Sequence, residues 1–251
     1  MRMSRDMREA LLDALALVVP VECAGCGRPD RSLCEACRRA LAPAARRVAV
    51  PGVPTVWAGA RYEGAVRGAL LALKDGRTSL ADPLAPLLVA ALGQLRAEAS
   101  LEAGAEVELC RVPTSRRAFR RRGFDPVRVL TRAADLDTRR VLRAAAGHSD
   151  QKGLARSERL QNLADVHRAR GWLGGRRFVI VDDIVTTGST LRAVADALRA
   201  SGGHVIGAVA VAATPRTGHA SEPLGRHPAR DGDKRRSAHY GGRKGEKGTT
   251  A

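Results

Sequence analysis

Aromatic residues are scarce in this chain: 3% of 251 residues, as three Phe, two Trp and two Tyr. Binding nucleic acid by stacking successive bases on rings needs more of them, so the scarcity argues against extensive base stacking. No apolar run approaches the roughly 20 residues that a membrane-spanning helix requires. No G-x-x-x-x-G-K-[ST] run is present, which removes the P-loop class. No internal repeat is apparent. Acidic charge is also short, with 26 Asp/Glu against 43 Lys/Arg, a formal charge of +17 and a pI near 11.1. Residues 215–251 carry nine Lys/Arg and four Asp/Glu and account for +5, so the rest of the chain keeps +12. Anionic partners are expected: nucleotides, phosphates or nucleic acid. A charged, solvated surface is the plainer alternative.

The most informative stretch runs from Phe178 to Leu191. It begins as a continuous apolar run, the pattern of a strand buried on both faces of a parallel sheet. The run ends on Asp182 and Asp183, where ligands of open α/β sheets bind. Thr186, Thr187, Gly188, Ser189 and Thr190 follow, and then Leu191, Val194, Ala195 and Leu198 at helical spacing. This loop therefore lies at a helix N-terminus, where free N–H groups and the dipole favour a phosphate. Gly188 allows close backbone approach, and the hydroxyls add donors. The two acids suit a ribose diol or a metal, so a sugar phosphate satisfies both halves. The plainer alternative is a buried strand before a helix capped by Ser189 or Thr190. The doubled acid at the strand end argues against it.

Four of the five cysteines fall in Cys23-x2-Cys26 and Cys34-x2-Cys37. Two such pairs supply four thiolates for a closed, structural Zn2+ site, and the metal would stabilise a module with little core. A redox dithiol or an iron–sulfur site is the other option. Clustered cysteines of this kind suit a reducing compartment, and a cytoplasmic protein is expected. Ahead of them, residues 7–19 read as a short amphipathic helix. A secretory signal is the alternative, against which Asp6, Glu9 and Asp13 and the lack of a small-residue cleavage site argue.

Pro43, Pro51 and Pro54 suggest a linker. A strand is expected from Val56 to Tyr62, helices over 64–74 and 80–98, and a strand over 107–113, with Cys110 as a small buried residue. Lys74 either faces its helix C-terminus or reaches a pyrophosphate. Residues 116–122 hold five arginines, a concentrated anion site after a strand end or else a basic surface loop. Residues 150–169 read as a polar helix. A strand over 176–183, a helix over 189–201 ended by Gly202-Gly203 and a strand over 204–214 imply a parallel crossover. Beyond Pro215 the composition cannot bury a core, so a disordered tail is expected.

Together these landmarks resemble the ComF family of bacterial phosphoribosyltransferase-like proteins. The resemblance rests on the paired CxxC motifs, Tyr62 with Lys74-Asp75-Gly76, and Val112-Pro113 leading to Arg122-Gly123-Phe124. It also rests on Gln151, Leu154, Glu158-Arg159 and Asn162, and on Val181-Asp182-Asp183 with Thr186-Thr187-Gly188-Ser189-Thr190. It implies an α/β fold: a type I phosphoribosyltransferase-like parallel sheet with flanking helices over 51–214, a small four-cysteine zinc module over 1–50, and a basic tail over 215–251. It further implies that phosphoribosyl pyrophosphate binds with Mg2+, with Asp182 and Asp183 on ribose hydroxyls, residues 186–190 on the 5′-phosphate, and Arg122 and Gly123 with their neighbours on pyrophosphate. A link to DNA uptake follows from the same resemblance. The competing class is a non-catalytic accessory protein that senses a nucleotide or binds single-stranded DNA or a DNA-uptake protein. Asp125 departs from the family, which commonly has Asn there, and sets an acid beside the expected pyrophosphate loop. The long basic tail also departs from it.

Overall fold

The structure, a computed structural model, describes residues 21–29, 31–101, 106–144 and 167–215. Every described residue belongs to one compact unit. The helix expected over 7–19, the polar helix within 150–169 up to residue 166, and the basic tail from residue 216 lie outside the described residues.

In chain order the elements are α1 (Glu35–Arg39), β1 (Arg46–Arg47), β2 (Val56–Arg61), α2 (Gly64–Lys74), a 3-10 turn (Thr78–Leu80), α3 (Ala81–Glu98), β3 (Glu108–Arg111), α4 (Arg116–Arg122) and α5 (Pro126–Ala133). Then come β4 (Thr138–Arg139), β5 (Leu142–Ala144), β6 (His167–Ala169), β7 (Arg177–Val185), α6 (Ser189–Ala200) and β8 (His204–Ala213). The main sheet has the order β1-β2-β8-β7-β3-β4. All its pairs are parallel except β1 with β2. β5 and β6 form a separate antiparallel pair.

β7 sits between β8 and β3, with helices on both faces, which is why its sequence is continuously apolar. Alternate residues still divide between the two layers. Val179 and Val181 join the cluster of Leu70, Leu73, Leu84 and Leu88 from α2 and α3. Phe178 and Ile180 join Leu191, Val194 and Leu198 from α6. The 21 residues Thr78–Glu98, with a mean hydropathy of 1.2 in their most apolar window, are long and apolar enough to cross a membrane. Here Leu84, Leu87, Leu88, Ala91 and Leu95 of that stretch are buried in the core. Close approach of α3 to β2 requires Gly59, since a Cβ there would run into the Leu87 carbonyl.

The proline-marked segment does more than link. Arg46 and Arg47 add an antiparallel edge strand to β2, and Val50 packs beside the loop that precedes α6. The arginine-rich segment is a helix and not a loop. Ser115 caps it by accepting from the Ala118 N–H at 3.2 Å, and Gly123 ends it at φ 77°. Asp125 then caps α5 by accepting from the Arg128 N–H at 3.2 Å, with Pro126 in the first turn.

Candidate functional site

The acid pair lies near the carboxyl end of β7. Asp183 continues the row of Val179 and Val181, the face that carries α2, and Lys74 in the last turn of α2 reaches it. Lys74 Nζ lies 2.9 Å from Asp183 Oδ2, with both side chains largely buried. Asp182 Oδ1 accepts the backbone N–H of Asp183 at 2.8 Å. Burial pushes the Asp182 carboxyl up to about 7, and the neighbouring Asp183 charge adds to this against the Asp183 N–H and Lys74. Two carboxylates this close share one lysine, so the pair holds spare capacity for a cation or for hydroxyl donors.

The loop after β7 turns on Gly188, which sits at φ 81° as the residue before α6. A Cβ there would also lie 2.6 Å from Val50 Cγ1. Glycine is thus required by backbone conformation and by packing, besides any ligand's approach. Thr187 Oγ1 accepts the Ser189 N–H at 3.3 Å and lies 3.0 Å from Ser189 Oγ. Thr186, Thr187 and Thr190 are exposed, while Gly188 is buried. The Thr214 N–H donates to the Val185 carbonyl at 2.9 Å and ties the loop to the end of β8. The arrangement offers hydroxyls and first-turn N–H groups beside two carboxylates, which suits a phosphate and a diol on one ligand.

Next to this lies a cavity of about 560 Å3. Arg111 of β3, Arg116 and Arg120 of α4, Arg128 of α5, and Arg140, Arg143 and Arg170 line it. Among the described residues that line it the single carboxylate is Asp125, whose Oδ2 is 3.4 Å from Arg111 Nη1. Burial depresses the Arg111 pKa, Asp125 opposes this, and the Arg128 and Arg140 charges depress it further. Asp125 is also close enough to Asp182 to help raise its pKa, so cavity and acid pair adjoin. Asp125 therefore has a local purpose, as helix cap and partner of Arg111. Arg122 and Gly123, expected at this anion site, end α4; the residues of α4 that line the cavity are Arg116, Phe119 and Arg120.

The four clustered cysteines come together, with all their sulfurs within 4.8 Å of one another. Cys26 Sγ and Cys34 Sγ are 3.7 Å apart, matching the edge of a tetrahedron with Zn–S bonds of about 2.3 Å. The Cys34 N–H donates to Cys23 Sγ at 3.3 Å. Burial opposes ionisation of Cys23, but N–H donors from Cys34, Cys26 and Gly25 outweigh it and bring the thiol to about 6. Cys37 is driven the other way, by burial and then by its neighbours. Four thiols so crowded can all ionise only around a cation, and the set fits zinc. Cys110 lies apart, buried in β3, as expected for a small core residue.

The sequence offers Lys74 a helix C-terminus or a pyrophosphate, and the structure pairs it instead with Asp183, a contact that follows only from α2 lying beside β7. Arg111, Arg140, Arg143 and Arg170 were missed altogether. Three different segments carry them, and nothing in the spacing of those segments says that they meet.

Residues 120–239 match the family model of the phosphoribosyl transferase domain. This match covers the acid pair, the loop before α6 and most of the arginine cavity, and it leaves the cysteine cluster outside. A comparison with curated proteins found no match. The chain therefore combines a region similar to the phosphoribosyl transferase domain, a mixed and mainly parallel sheet with flanking helices, and an N-terminal cluster of four cysteines suited to zinc.

Proposed function

We propose that this protein binds phosphoribosyl pyrophosphate with Mg2+ and transfers the phosphoribosyl group to an acceptor. The observation that carries the reading is the acid pair of β7 placed directly before the Gly188 loop at the start of α6. Thr186, Thr187, Ser189, Thr190 and the free N–H groups of α6 hold the 5′-phosphate. Asp182 and Asp183 take the ribose hydroxyls, with the carboxylate oxygens also suited to Mg2+. The arginines of α4 and its surroundings take the pyrophosphate. Transfer breaks the bond between the anomeric carbon and pyrophosphate, whose oxygen keeps the electron pair. The protein's contribution is to position the donor and stabilise the leaving charge. The four-cysteine cluster ahead of the domain supports a ComF-type protein, and with it a place beside the DNA-uptake machinery.

The test is the double variant Asp182→Asn and Asp183→Asn. It keeps volume but removes the charge that engages Mg2+ and the diol. Calorimetric titration should show the affinity for phosphoribosyl pyrophosphate in Mg2+ falling by at least about tenfold, with the thermal transition retained. Unchanged affinity would mean that the acids are structural.

A further inference from the structure

The two residues between the first pair of cysteines are the ones that meet α2. Ala24 and Gly25 form the turn of Cys23-x2-Cys26. The Ala24 carbonyl lies so close to Gly68 that a Cβ there would run into it. Gly25 is held between the second cysteine pair and the helix: its would-be Cβ lies 2.6 Å from Cys37 Sγ and 3.1 Å from Ala65 Cβ. Ala65 and Gly68, three residues apart, share one face of α2. All four contact residues are alanine or glycine, so the turn meets the helix backbone to backbone. No flexible side chain lies between them to absorb a shift.

The cysteine module grips α2 at other points too. Arg77, three residues past the helix, donates to the Glu22 carbonyl at 2.7 Å. Cys23, Leu33, Cys37 and Leu41 share a core cluster with Val66, Leu70 and Leu73 of α2. The shape of the turn depends on the metal site, because Cys23 and Cys26 both belong to it. Four sulfurs within 4.8 Å of one another stay together as thiolates only around a cation.

Six residues beyond Gly68, about 9 Å along the axis, α2 ends on Lys74, whose Nζ is 2.9 Å from Asp183 Oδ2. These side chains are only 20% and 14% exposed, so little water is at hand to replace the contact. A helix of 11 residues carries a displacement along its length as a rigid element. A shift of about 1 Å along the ion pair takes the lysine out of hydrogen-bond range.

We infer that Lys74 is a positioning residue set by the cysteine module. With the four cysteines metal-loaded, α2 holds Lys74 on Asp183 and so fixes the carboxylate that meets the donor. Zinc and donor are then coupled across α2, each tightening the binding of the other, because linkage is reciprocal. The donor half rests on the reading given under Proposed function; the link from the cysteines to Lys74 does not.

The test uses the full chain, either zinc-loaded or stripped by a zinc-selective chelator under reducing conditions and desalted before Mg2+ is added. In calorimetry, stripping should weaken phosphoribosyl pyrophosphate binding to wild type by about fivefold or more. Lys74→Gln should bind the donor within about twofold with and without zinc, and Lys74→Arg, which keeps the charge, should regain the zinc dependence. A module that only supports the fold would weaken all three alike. Hydrogen exchange reads the link without any donor. Stripping should speed exchange in residues 64–77 by about tenfold or more and leave α6 within about twofold. Donor affinity of wild type that ignores zinc overturns the proposal. So does an equal loss in Lys74→Gln, or exchange that quickens in α6 as well, since the metal would then hold the whole domain. A zinc-loaded wild type that binds no donor refutes the donor reading alone. Faster exchange confined to residues 64–77 then still supports the link, and unchanged exchange there overturns it.

Discussion

Asp182 shows how a single residue of a proposed site can lower stability. Its carboxyl is held up at about 7 from an ordinary 3.8, through burial and then the charge of Asp183. The folded protein therefore keeps that proton until about pH 7, whereas the unfolded chain releases it near pH 4. The contribution of Asp182 to stability falls as pH rises across that window and stays low above it. Asp182→Asn removes the ionisation and should raise the thermal midpoint at pH 8, by about 2–4 °C for each kcal/mol relieved. The gain should shrink towards pH 4, where the native carboxyl is neutral as well. Thermal scans across pH check this, and a variant less stable than wild type at pH 8 would show that the ionised form is well paired. Gain of stability with loss of ligand binding is the usual mark of a functional acid pair. Lys74 limits the strain by pairing Asp183 at 2.9 Å.

At the scale of elements, the cysteine cluster is tied to the helix that carries Lys74. Gly68 of α2 lies against the cysteine loop so closely that a Cβ would run into the Ala24 carbonyl. Gly25 is equally confined, with Cys37 Sγ 2.6 Å from its would-be Cβ. Arg77, just beyond α2, donates to the Glu22 carbonyl at 2.7 Å. Metal analysis of purified protein should find about one zinc per chain. Gly68→Val should force the module off α2, lowering both the thermal midpoint and the retention of zinc against a chelator. Zinc retained as in wild type, at an unchanged midpoint, would contradict this docking. Much at this scale was legible in the sequence. The apolar run from Phe178 to Val181, the helical spacing after Ser189 and the glycines after α6 located β7 and α6, because each is a local pattern with one period. α4 and α5 were not recognised, although Ser115, Gly123 and the Asp125-Pro126 pair are their caps, because the density of arginines reads as a loop. β4, β5 and β6 span only two or three residues each. So short a strand has no period to read and exists through its neighbours.

At the scale of the whole molecule, parallel pairing of β3, β7 and β8 brings their carboxyl ends to one edge. That edge collects Arg111, the acid pair and the loop before α6, which is where open α/β sheets bind ligands. The sequence showed the acids and the loop because they are contiguous. It did not show the arginine cavity, whose wall is assembled from segments around β3, α4, α5, β5 and β6. On the proposed reading, the two carboxylates that this edge keeps in a chain with a formal charge of +17 face the part of the ligand that carries hydroxyls and not phosphate. The central claim is that this edge is a phosphoribosyl pyrophosphate site. Calorimetric titration of the wild-type chain with phosphoribosyl pyrophosphate, with and without Mg2+, tests it most directly. The account predicts saturable binding of one ligand per chain that weakens by at least about tenfold when Mg2+ is withheld. No binding in either condition, or binding indifferent to Mg2+, would contradict it.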